Sequence, residues 1–560
     1  MEKLIYNILN SKLKELLVIL LILLALGGSI MMLPTKLVKA KMLPGKSANT
    51  FSIYVDTPID SSVIQTRKVT KCVLEHLKEE EEIVNVETFI AQGAPLDYAG
   101  LVKGSAFKRM KNQAEMVVNL TDKHERDEPS YAMVHRIRPK IKKECESLVK
   151  GSIIKFIEMP SGPPTLATIV VELYGKDDAL LRDTAKRVAK TLKETKGLVD
   201  VDIMMDKIYK KFELIPDKEK IIKSELSVAQ VNQIIYLAFK GGKVAYKNSK
   251  AQQDQVPIFV RLNENSRIVS KKSIEDIRDK LGTLRLMNRH GQLIPIKEIV
   301  KIVKVDSDPT IYRKNLKNMI RITAECDLVS QVYPLLEARD KILKEFKNDF
   351  NVTKVPGIST YMFDLLLKRK TSGENMLLRW DGEMKVTLDT FRDLGGAFIA
   401  ALVLMFLLMV VYYKSFALSG IVLLASFLSI IGVIVGHYIT DLVTMFFAGT
   451  HFFLTATSLI GFISLMGISA RSSLLLIDFS KAQIKDGVEK RKAIANATAI
   501  RSKPIMLTAV AIILGSALLS TDPIFGGLGI ALIFGSIAST VVSLFLVPIM
   551  MNHTKAMLDG

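Results

Sequence analysis

The sequence contains few of the residue types that carry metal, redox or nucleophilic chemistry: three Cys, seven His and one Trp among 560 residues. Cys72, Cys145 and Cys326 are odd in number and widely spaced, so the sequence excludes a disulfide framework and a cysteine-based zinc site. The histidines form no His-Glu-x-x-His motif, and no Gly-x-Ser-x-Gly motif or complete phosphate-binding loop is present. These absences predict a protein that is not an enzyme.

Acidic residues are also scarce beside basic ones, with 57 Asp and Glu against 77 Lys and Arg, a formal charge of +20. A basic chain often binds nucleic acid, but no basic stripe interleaved with aromatic residues is present, so no nucleic-acid partner is predicted. The 23 Met could hold soft metal ions, yet most lie in apolar runs or strand patterns, which favours core packing and no metal site.

Hydrophobic residues make up 49% of the chain and are concentrated in six long runs. Each run approaches the ~20 residues that a helix needs to cross the hydrocarbon core of a bilayer. The first run is longer than the apolar part of a usual signal peptide and lacks a small-residue cleavage site, so we interpret it as a retained span. The predicted spans are 16–33, 396–413, 416–436, 452–478, 504–520 and 526–550.

The positions of Lys and Arg between these runs predict the orientation of the chain. The loops 438–451 and 521–525 carry no Lys or Arg, whereas the segments on the other side carry many. Because cations favour the cytoplasmic side, the N-terminus is predicted inside and residues 34–395 outside. The cytoplasmic parts are then 1–15, 551–560 and an amphipathic helix at about 480–500 that contacts the lipid membrane.

The outer segment alternates strand and helix patterns. The order strand, helix, strand, strand, helix, strand occurs over 51–158, which is the order of a ferredoxin-like subdomain. A boundary is predicted at 159–164 (MPSGPP), and a second copy begins at 167. That copy is interrupted by a different block, whose closing strand is predicted at 293–304, and resumes at 318–348. The predicted class is an α+β membrane protein with six transmembrane helices.

One cation lies deep within the fourth run, LTATSLIGFISLMGISARSSLLLIDFS. Arg471 lies about 10 Å along the helix from Asp478. A charge at that depth costs at least ~2.5 to 3.5 kcal/mol unless it is paired or hydrated, so Arg471 needs a partner. The alternative is that its side chain snorkels to the inner edge or pairs with Asp478.

The fifth run begins RSKPIMLT, and Arg501 and Thr508 lie seven positions apart, hence on one helix face. Pro504 is typical of the first turn of a helix. The alternative is that Arg501 and Lys503 are interfacial anchors.

The spans contain no carboxylate in mid-membrane, because Asp441 and Asp522 are predicted in outer loops and Asp478 at the inner edge. If Arg471 takes part in proton transfer, its counter-ion must therefore come from another polypeptide.

Several motifs together resemble the C-terminal half of resistance-nodulation-division (RND) efflux permeases of the AcrB type. The resemblance rests on GISARSSLLLIDF, RSKPIMLTAVAIILG, RWDGEMKVTLDTFRDLGGAF and PSGPP-x-LATIVVELYG. It implies two ferredoxin-like porter subdomains, a docking insertion and six spans, and it implies that Arg471, Arg501 and Thr508 form a proton relay. The implied porter subdomains are 48–160 and 165–207 plus 308–375, the docking insertion is 208–307, and spans two to six lie within 396–550.

The carboxylates that complete the relay in this family belong to an N-terminal half that this sequence does not contain. The resemblance therefore implies a separately encoded N-terminal half, a trimeric assembly, a periplasmic adaptor protein and an outer-membrane channel as partners. It implies proton-driven export of drugs, amphiphiles or metal ions across the inner membrane, with no cofactor. The alternatives are an accessory membrane subunit of protein secretion and a non-transporting remnant of a split permease.

Overall fold

The computed structural model describes residues 1–159, 162, 165–248, 250, 252–267, 273–355 and 363–558. The described chain divides into two compact units. The first comprises Met1–Met205 and Ile311–Gly560, and the second comprises Asp206–Thr310. The predicted 159–164 boundary lies mostly outside the described residues.

The chain begins with two helices, α1 (Glu2–Leu9) and α2 (Lys12–Met31). α1 buries Ile5 and Leu9 against the later helices of the first unit. α2 is apolar around its circumference and largely exposed, as expected for a helix that faces lipid or a partner. The sequence patterns did not predict α1 within residues 1–15.

Subdomain A, residues 48–159, is a four-stranded antiparallel sheet with helices α3 and α5 packed on it. The strand order is β2–β3–β1–β4, and the sheet and helices share one core that includes Ile53, Met116 and Val134. Ser62 and Gln65 form a capping box that fixes the start of α3. The elements are β1 (Thr50–Asp56), α3 (Val63–Leu77), β2 (Ile83–Ile90), α4 (Tyr98–Lys103), β3 (Gln113–Leu120), α5 (Ser130–Cys145) and β4 (Ile153–Ile157).

A disulfide joins Cys72 of α3 to Cys145 of α5. The exclusion of disulfides from the odd number and wide spacing of the cysteines was wrong for this pair. The two residues are 73 positions apart in sequence, and only the packing of α3 beside α5 brings their Cα atoms to 5.6 Å. Cys326 has a free thiol.

After subdomain A the chain forms β5 (Ile169–Tyr174), α6 (Asp178–Lys193) and β6 (Leu198–Met204), and then enters the second unit. β5 is buried at every position, as a central strand requires. Asp177 caps α6 by accepting from the amides of Ala179 and Leu180.

The second unit closes with a two-stranded antiparallel pair, β7 with β12, and has its own core around Ile221 and Leu281. The predicted strand 293–304 is divided in two, because Pro295 precedes one turn of helix at Ile296–Ile299. The elements are β7 (Lys210–Pro216), α7 (Lys218–Lys223), α8 (Val228–Phe239), β8 (Gly242–Lys247), β9 (Val256–Val260), α9 (Glu264–Arg267), α10 (Ile274–Thr283), β10 (Arg285–Met287), β11 (Leu293–Pro295), α11 (Ile296–Ile299) and β12 (Val300–Asp306).

Subdomain B comprises residues 165–205 and 311–381. Its main sheet has the order β13–β14–β5–β17–β16–β15, and β6 also pairs with β14. The sequence patterns did not predict β15–β17, because β15 is mostly exposed and three leucines in a row conceal the alternation of β16. The later elements are β13 (Arg313–Lys314), β14 (Lys317–Cys326), α12 (Val332–Phe346), β15 (Phe350–Lys354), β16 (Leu365–Arg369) and β17 (Asn375–Asp381).

The remaining helices supply five of the six segments that are long and apolar enough to cross a membrane, α2 being the first. They pack closely, since a Cβ atom added at Gly432 would lie 2.1 Å from the carbonyl oxygen of Phe534. The helices are α13 (Glu383–Tyr413), α14 (Phe416–Phe427), α15 (Ile430–Ala448), α16 (Ala456–Lys485), α17 (Lys490–Ala517), α18 (Gly526–Val541) and α19 (Val547–His553).

Two predictions about this region were wrong. The segment 480–500 is not a separate amphipathic helix: α16 continues to Lys485, Gly487 turns the chain with φ +85°, and α17 begins at Lys490. Asp441 lies within α15 rather than in an outer loop, because the helix continues to Ala448.

Candidate functional site

The cations predicted to act in proton transfer lie on α16 and α17, which pack against each other and against α18. α16 starts at a capping box formed by Thr455 and Ser458, which fixes its first turn. α17 runs without a break through Pro504. This proline therefore lies in the helix interior, whereas the sequence pattern predicted it in the first turn of a helix.

Arg471 lies on an exposed stripe of α16 together with Ile460, Ser464 and Gly467. These positions are three or four residues apart and therefore share one helix face. Nothing lies within 4 Å of a Cβ atom added at Gly467, so the stripe is open. Within the described part of the chain, Arg471 has no ion pair and no side-chain hydrogen bond.

The predicted alternative of an Arg471–Asp478 pair is not formed. The carboxylate of Asp478 instead accepts from the hydroxyl of Tyr412 at 3.3 Å, and the hydroxyl of Tyr413 donates to the carbonyl of Leu474 at 3.5 Å. Both tyrosines are at the end of α13, so they hold the C-terminal part of α16 against that helix.

Arg501 and Thr508 lie on α17 but have different surroundings. The guanidinium of Arg501 stacks over the ring of Phe479 on α16, with 4.6 Å from Cζ to the ring centroid. Its Nε atom is buried and has no hydrogen-bond partner in the described residues. Thr508 is exposed, and its hydroxyl donates to the carbonyl of Pro504 at 2.8 Å.

The structure therefore connects Arg501 to α16 through Phe479. Within the described chain, neither Arg501 nor Thr508 forms a hydrogen bond with Arg471. Arg471 and Arg501 are thus two unsatisfied cations on neighbouring helices. Such a pair can bind a negatively charged group from outside this chain.

The other end of α16 is bonded to the segment that leads from α2 into subdomain A. The amide of Leu454 donates to the carbonyl of Lys39 at 2.8 Å, and the amide of Lys41 donates to the carbonyl of Leu454 at 3.0 Å. The hydroxyl of Ser330, just before α12 of subdomain B, donates to the carbonyl of Ala40. A movement of α16 along its axis would therefore pull on both subdomains.

Sequence reasoning missed a polar chain at this outer end. His451 lies between Asp441 and Lys39, with Nδ1 at 3.1 Å from Asp441 Oδ1 and Nε2 at 2.9 Å from Lys39 Nζ. His437 is fully buried and lies 2.8 Å from the hydroxyl of Ser458. The available signal was an Asp and a His within an apolar run, where polar residues are costly and have a partner or a function.

The contact between subdomains A and B is lined by charges of opposite sign. Lys155 of β4 bridges Asp56 at 2.9 Å and Asp202 of β6 at 2.6 Å. Arg138 donates to Asp327 at 2.7 Å, and Lys142 to Asp200 at 2.8 Å. The cations belong to A and their cross-contact acids to B: Lys103, Arg138, Lys142 and Lys155 with Asp200, Asp202, Glu325 and Asp327.

A local irregularity aims Asp200 across this contact. Asp200 has φ +52°, and the register between β6 and β14 shifts beside it. Such a bulge re-aims a side chain, and the carboxylate of Asp200 also accepts from the amide of Phe156 of β4 at 3.0 Å. Its side chain is 1% exposed, so the sheet distortion places a fully satisfied charge inside the contact.

The carboxylates at this contact differ in the direction of their pKa shifts. Burial acts to raise the pKa of Asp56, but the ammonium groups of Lys155 and Lys108 outweigh it and lower the pKa to about 2. Burial raises the pKa of Glu158, and Arg138 opposes this from 3.7 Å. A cavity of about 120 Å³ lies beside Glu158, Lys41 and Cys326.

Comparison with known proteins identifies relatives of this chain. The chain matches the model of the AcrB/AcrD/AcrF family over residues 2–354 and 366–554. It is 24% identical over 394 residues to the swarming motility protein SwrC of Bacillus subtilis (strain 168), covering 67% of this chain and 32% of SwrC. It is 22% identical over 446 residues to the multidrug resistance protein MdtC of Yersinia enterocolitica serotype O:8 / biotype 1B, covering 78% of this chain and 39% of MdtC.

Two crystal forms of a heavy metal efflux pump have the same fold, with TM-scores of 0.70 and 0.71 and 18% identity. The match covers 98% of this chain and 51% of the pump, so the chain spans about half the length of that pump. Because the family model matches nearly the whole chain, this protein belongs to the AcrB/AcrD/AcrF family of RND membrane transporters.

Proposed function

We propose that this chain is the C-terminal half of a proton-driven RND exporter and works with an N-terminal half supplied as a separate chain. The proposal includes six transmembrane spans, two ferredoxin-like porter subdomains (A and B) and a docking domain in the second unit. Arg471, Arg501 and Thr508 act in proton coupling, and the partner half supplies the carboxylates that pair with the two arginines.

The observation that carries the proposal is the open stripe of α16. Among the described residues Arg471 has no ion pair, and a lone guanidinium in hydrocarbon is costly. Ser464 and Gly467 on the same stripe are small, which lets another helix approach closely. A protein surface with carboxylates therefore fits this face better than lipid.

Three spans are largely exposed, as expected if a second helix bundle packs against them. The spans Lys12–Met31, Glu383–Tyr413 and Lys490–Thr521 have 11%, 6% and 17% of their apolar windows buried, against 50% or more for the other three. Half of the bundle is thus packed inside this chain, and the other half presents long faces for lipid and for a second bundle.

The coupling step follows from these contacts. When the partner's carboxylates are charged, they bind Arg471 and Arg501; when they take up protons, the attraction ends and α16 is free to shift. Because the start of α16 is hydrogen-bonded to Lys39 and Lys41, the shift reaches the segment that joins both subdomains. The contact between A and B then opens and closes, which is alternating access.

The cavity beside Glu158 and Lys41 at the contact between A and B is small. The cavity of about 120 Å³ is smaller than the roughly 300 to 1,000 Å³ of a site for a drug-sized solute. Export therefore requires separation of the ion pairs of Arg138 and Lys142. The proposed cargo is a drug, an amphiphile or a metal ion, bound between this chain and its partner half.

The proposed assembly lies in the inner membrane with residues 34–395 in the periplasm. A disulfide between Cys72 and Cys145 supports this orientation, since disulfides persist in oxidising compartments. A trimer, a periplasmic adaptor protein and an outer-membrane channel complete the proposed route, and no cofactor beyond the proton gradient is involved.

The test is proton-linked export by the two-chain complex in liposomes. Arg471→Ala should abolish export while both chains still co-purify, because it removes the cation that the partner's carboxylates are proposed to bind and release during proton uptake. The matched control is Lys503→Ala, which removes an exposed cation from α17 and should leave export intact. Undiminished export by Arg471→Ala would reject the relay role, and export by this chain alone would reject the need for a partner.

A further inference from the structure

Four side chains with metal-binding atoms meet at the ends of the two helices that cover the sheet of subdomain A. Cys72 and His76 lie one turn apart on α3, and Glu144 and Cys145 end α5. The two sulfur atoms and one imidazole nitrogen of His76 lie within 4.8 Å of one another. Nothing in the proposed transport cycle uses this cluster.

The imidazole of His76 is held in a defined orientation. Its Nε2 atom lies 3.0 Å from Oε2 of Glu144, while Nδ1 is buried and has no hydrogen-bond partner in the described residues. Because Glu144 accepts the Nε2 proton, the neutral ring carries its lone pair on Nδ1. A carboxylate that fixes an imidazole through one nitrogen, with the other nitrogen vacant, is the arrangement around metal-bound histidines.

A disulfide by itself explains neither the contact of the Glu144 carboxylate with His76 nor the buried, vacant Nδ1 of His76. It requires only that α3 and α5 bring their Cα atoms to bonding distance, which they do at 5.6 Å. A His76–Glu144 pair adds little stability alone, since Glu144 is 52% exposed. The combination of two sulfurs and an oriented imidazole is explained by a soft metal ion.

We propose that reduction of the Cys72–Cys145 disulfide creates a site for one thiophilic metal ion. The ligands are the two sulfurs and Nδ1 of His76, and Glu144 is the positioning residue for the ring. A dithiol reductant gives two electrons and two protons to the disulfide and becomes a disulfide itself. Both thiols then lose their protons as the metal binds, and the sulfurs move to about 3.8 Å apart.

The site is thus controlled by redox state: in the oxidising compartment proposed for subdomain A the disulfide persists, and the metal site forms where a dithiol reductant reaches it. Oxidised, it links α3 to α5 covalently; reduced and loaded, the metal links the same helices through coordination. Three protein ligands leave the fourth tetrahedral position open to water or to a further ligand, which allows the ion to exchange. The exclusion of a cysteine-based zinc site in the sequence analysis rested on spacing, and the proposal departs from that exclusion.

The test uses the full chain purified in detergent, reduced with a phosphine and titrated with Co²⁺, followed by Zn²⁺. We expect one equivalent of Co²⁺ with cobalt–thiolate absorption, displacement by Zn²⁺, and no such signal from the oxidised chain. Glu144→Gln should weaken binding about 10- to 100-fold. His76→Gln should weaken it at least as much, and cobalt–thiolate absorption should lose intensity.

The controls are His124→Gln, an exposed histidine of the same subdomain, and Cys326→Ser, which removes the free thiol. Both should bind Co²⁺ as the unchanged chain does. Circular dichroism recorded on every sample reports the helix content. Absence of stoichiometric binding by the reduced, folded chain, equal binding by His76→Gln, or loss of helix content on reduction would each overturn the proposal.

Discussion

Arginine occurs both at the contact between subdomains A and B and on the open face of α16 and α17. Its surroundings differ, because the first site pairs it with carboxylates and the second does not. Arg138 is 6% exposed at its side chain and is paired with carboxylates of subdomain B. Arg471 is exposed and unpaired in the described structure, and Arg501 has a ring contact with Phe479 but no ion pair among the described residues. A charge satisfied within the chain holds a structure together, whereas an unsatisfied one defines where another molecule must bind.

The largest effect should come from breaking the satisfied side of this comparison. Asp200→Asn removes a buried carboxylate while keeping a residue type that tolerates φ +52°. It leaves Lys142 without its closest acid, so we expect a loss of about 3 kcal/mol in the free energy of unfolding. Denaturant unfolding of the full chain in detergent measures it.

The matched control for Asp200→Asn is Lys190→Ala, which removes one side of an exposed pair with Glu194. Exposed pairs contribute little, so no measurable change is expected. Equal stability of Asp200→Asn and the unchanged chain would show that the contact between A and B does not depend on its buried charges.

Adding a bulky side chain to the open face of α16 tests whether a partner half binds there. Gly467→Leu adds a side chain where nothing lies within 4 Å, so the isolated chain should fold unchanged. In the two-chain complex the added bulk would overpack the contact at about 1 to 3 kcal/mol, and we expect assembly to weaken roughly 10- to 100-fold. Co-purification and titration of the labelled halves measure it.

Gly420→Leu is the control, because Gly420 on α14 also has nothing within 4 Å but lies outside the stripe. Assembly should be unaffected by that substitution. If Gly467→Leu assembles as tightly as Gly420→Leu, the stripe of α16 faces lipid and not a partner half.

The third expected effect is a pH dependence at Asp56. Its pKa of about 2 lies below the roughly 3.9 of an unfolded chain, so its ion pairs contribute about 2 kcal/mol above pH 4. Because the folded pKa is the lower one, this stability is lost as the pH falls from about 4 towards 2. Hydrogen exchange of β1 and β4 across that range measures it.

In Asp56→Asn the acid-dependent part of the exchange should disappear, while Asp60→Asn in the loop after β1 should retain it. An unchanged pH profile in Asp56→Asn would assign the acid sensitivity of subdomain A to other carboxylates. This would weaken the argument that Lys155 joins the subdomains through charge.

Elements fixed by local chemistry could be predicted from the sequence. The span 416–436 reads as apolar because hydrocarbon excludes polar side chains, and the structure places helices there. α8 spans Val228–Phe239, and the capping box of Ser227 and Gln230 that fixes its start is a local sequence signal. The depth of Arg471 in an apolar run also required only the sequence.

Features that depend on contacts between distant residues could not be predicted. Cys72 meets Cys145 only because α3 packs beside α5. Asp478 bonds to Tyr412 instead of Arg471 because α13 ends beside α16. The strand β17 joins the sheet beside β5, a pairing across about 200 residues that no local pattern specifies.

The sequence by itself determined which segments are apolar enough for a membrane, where the α+β segment lies and which cation lies deep within an apolar run. These follow from hydropathy and spacing, which are local properties. Only the tertiary structure decided which charges are paired, that Asp200 is aimed across the contact of A and B, and that His76 faces two sulfurs. Pairing depends on distances between residues far apart in sequence, and those distances exist only after the helices and sheets have packed.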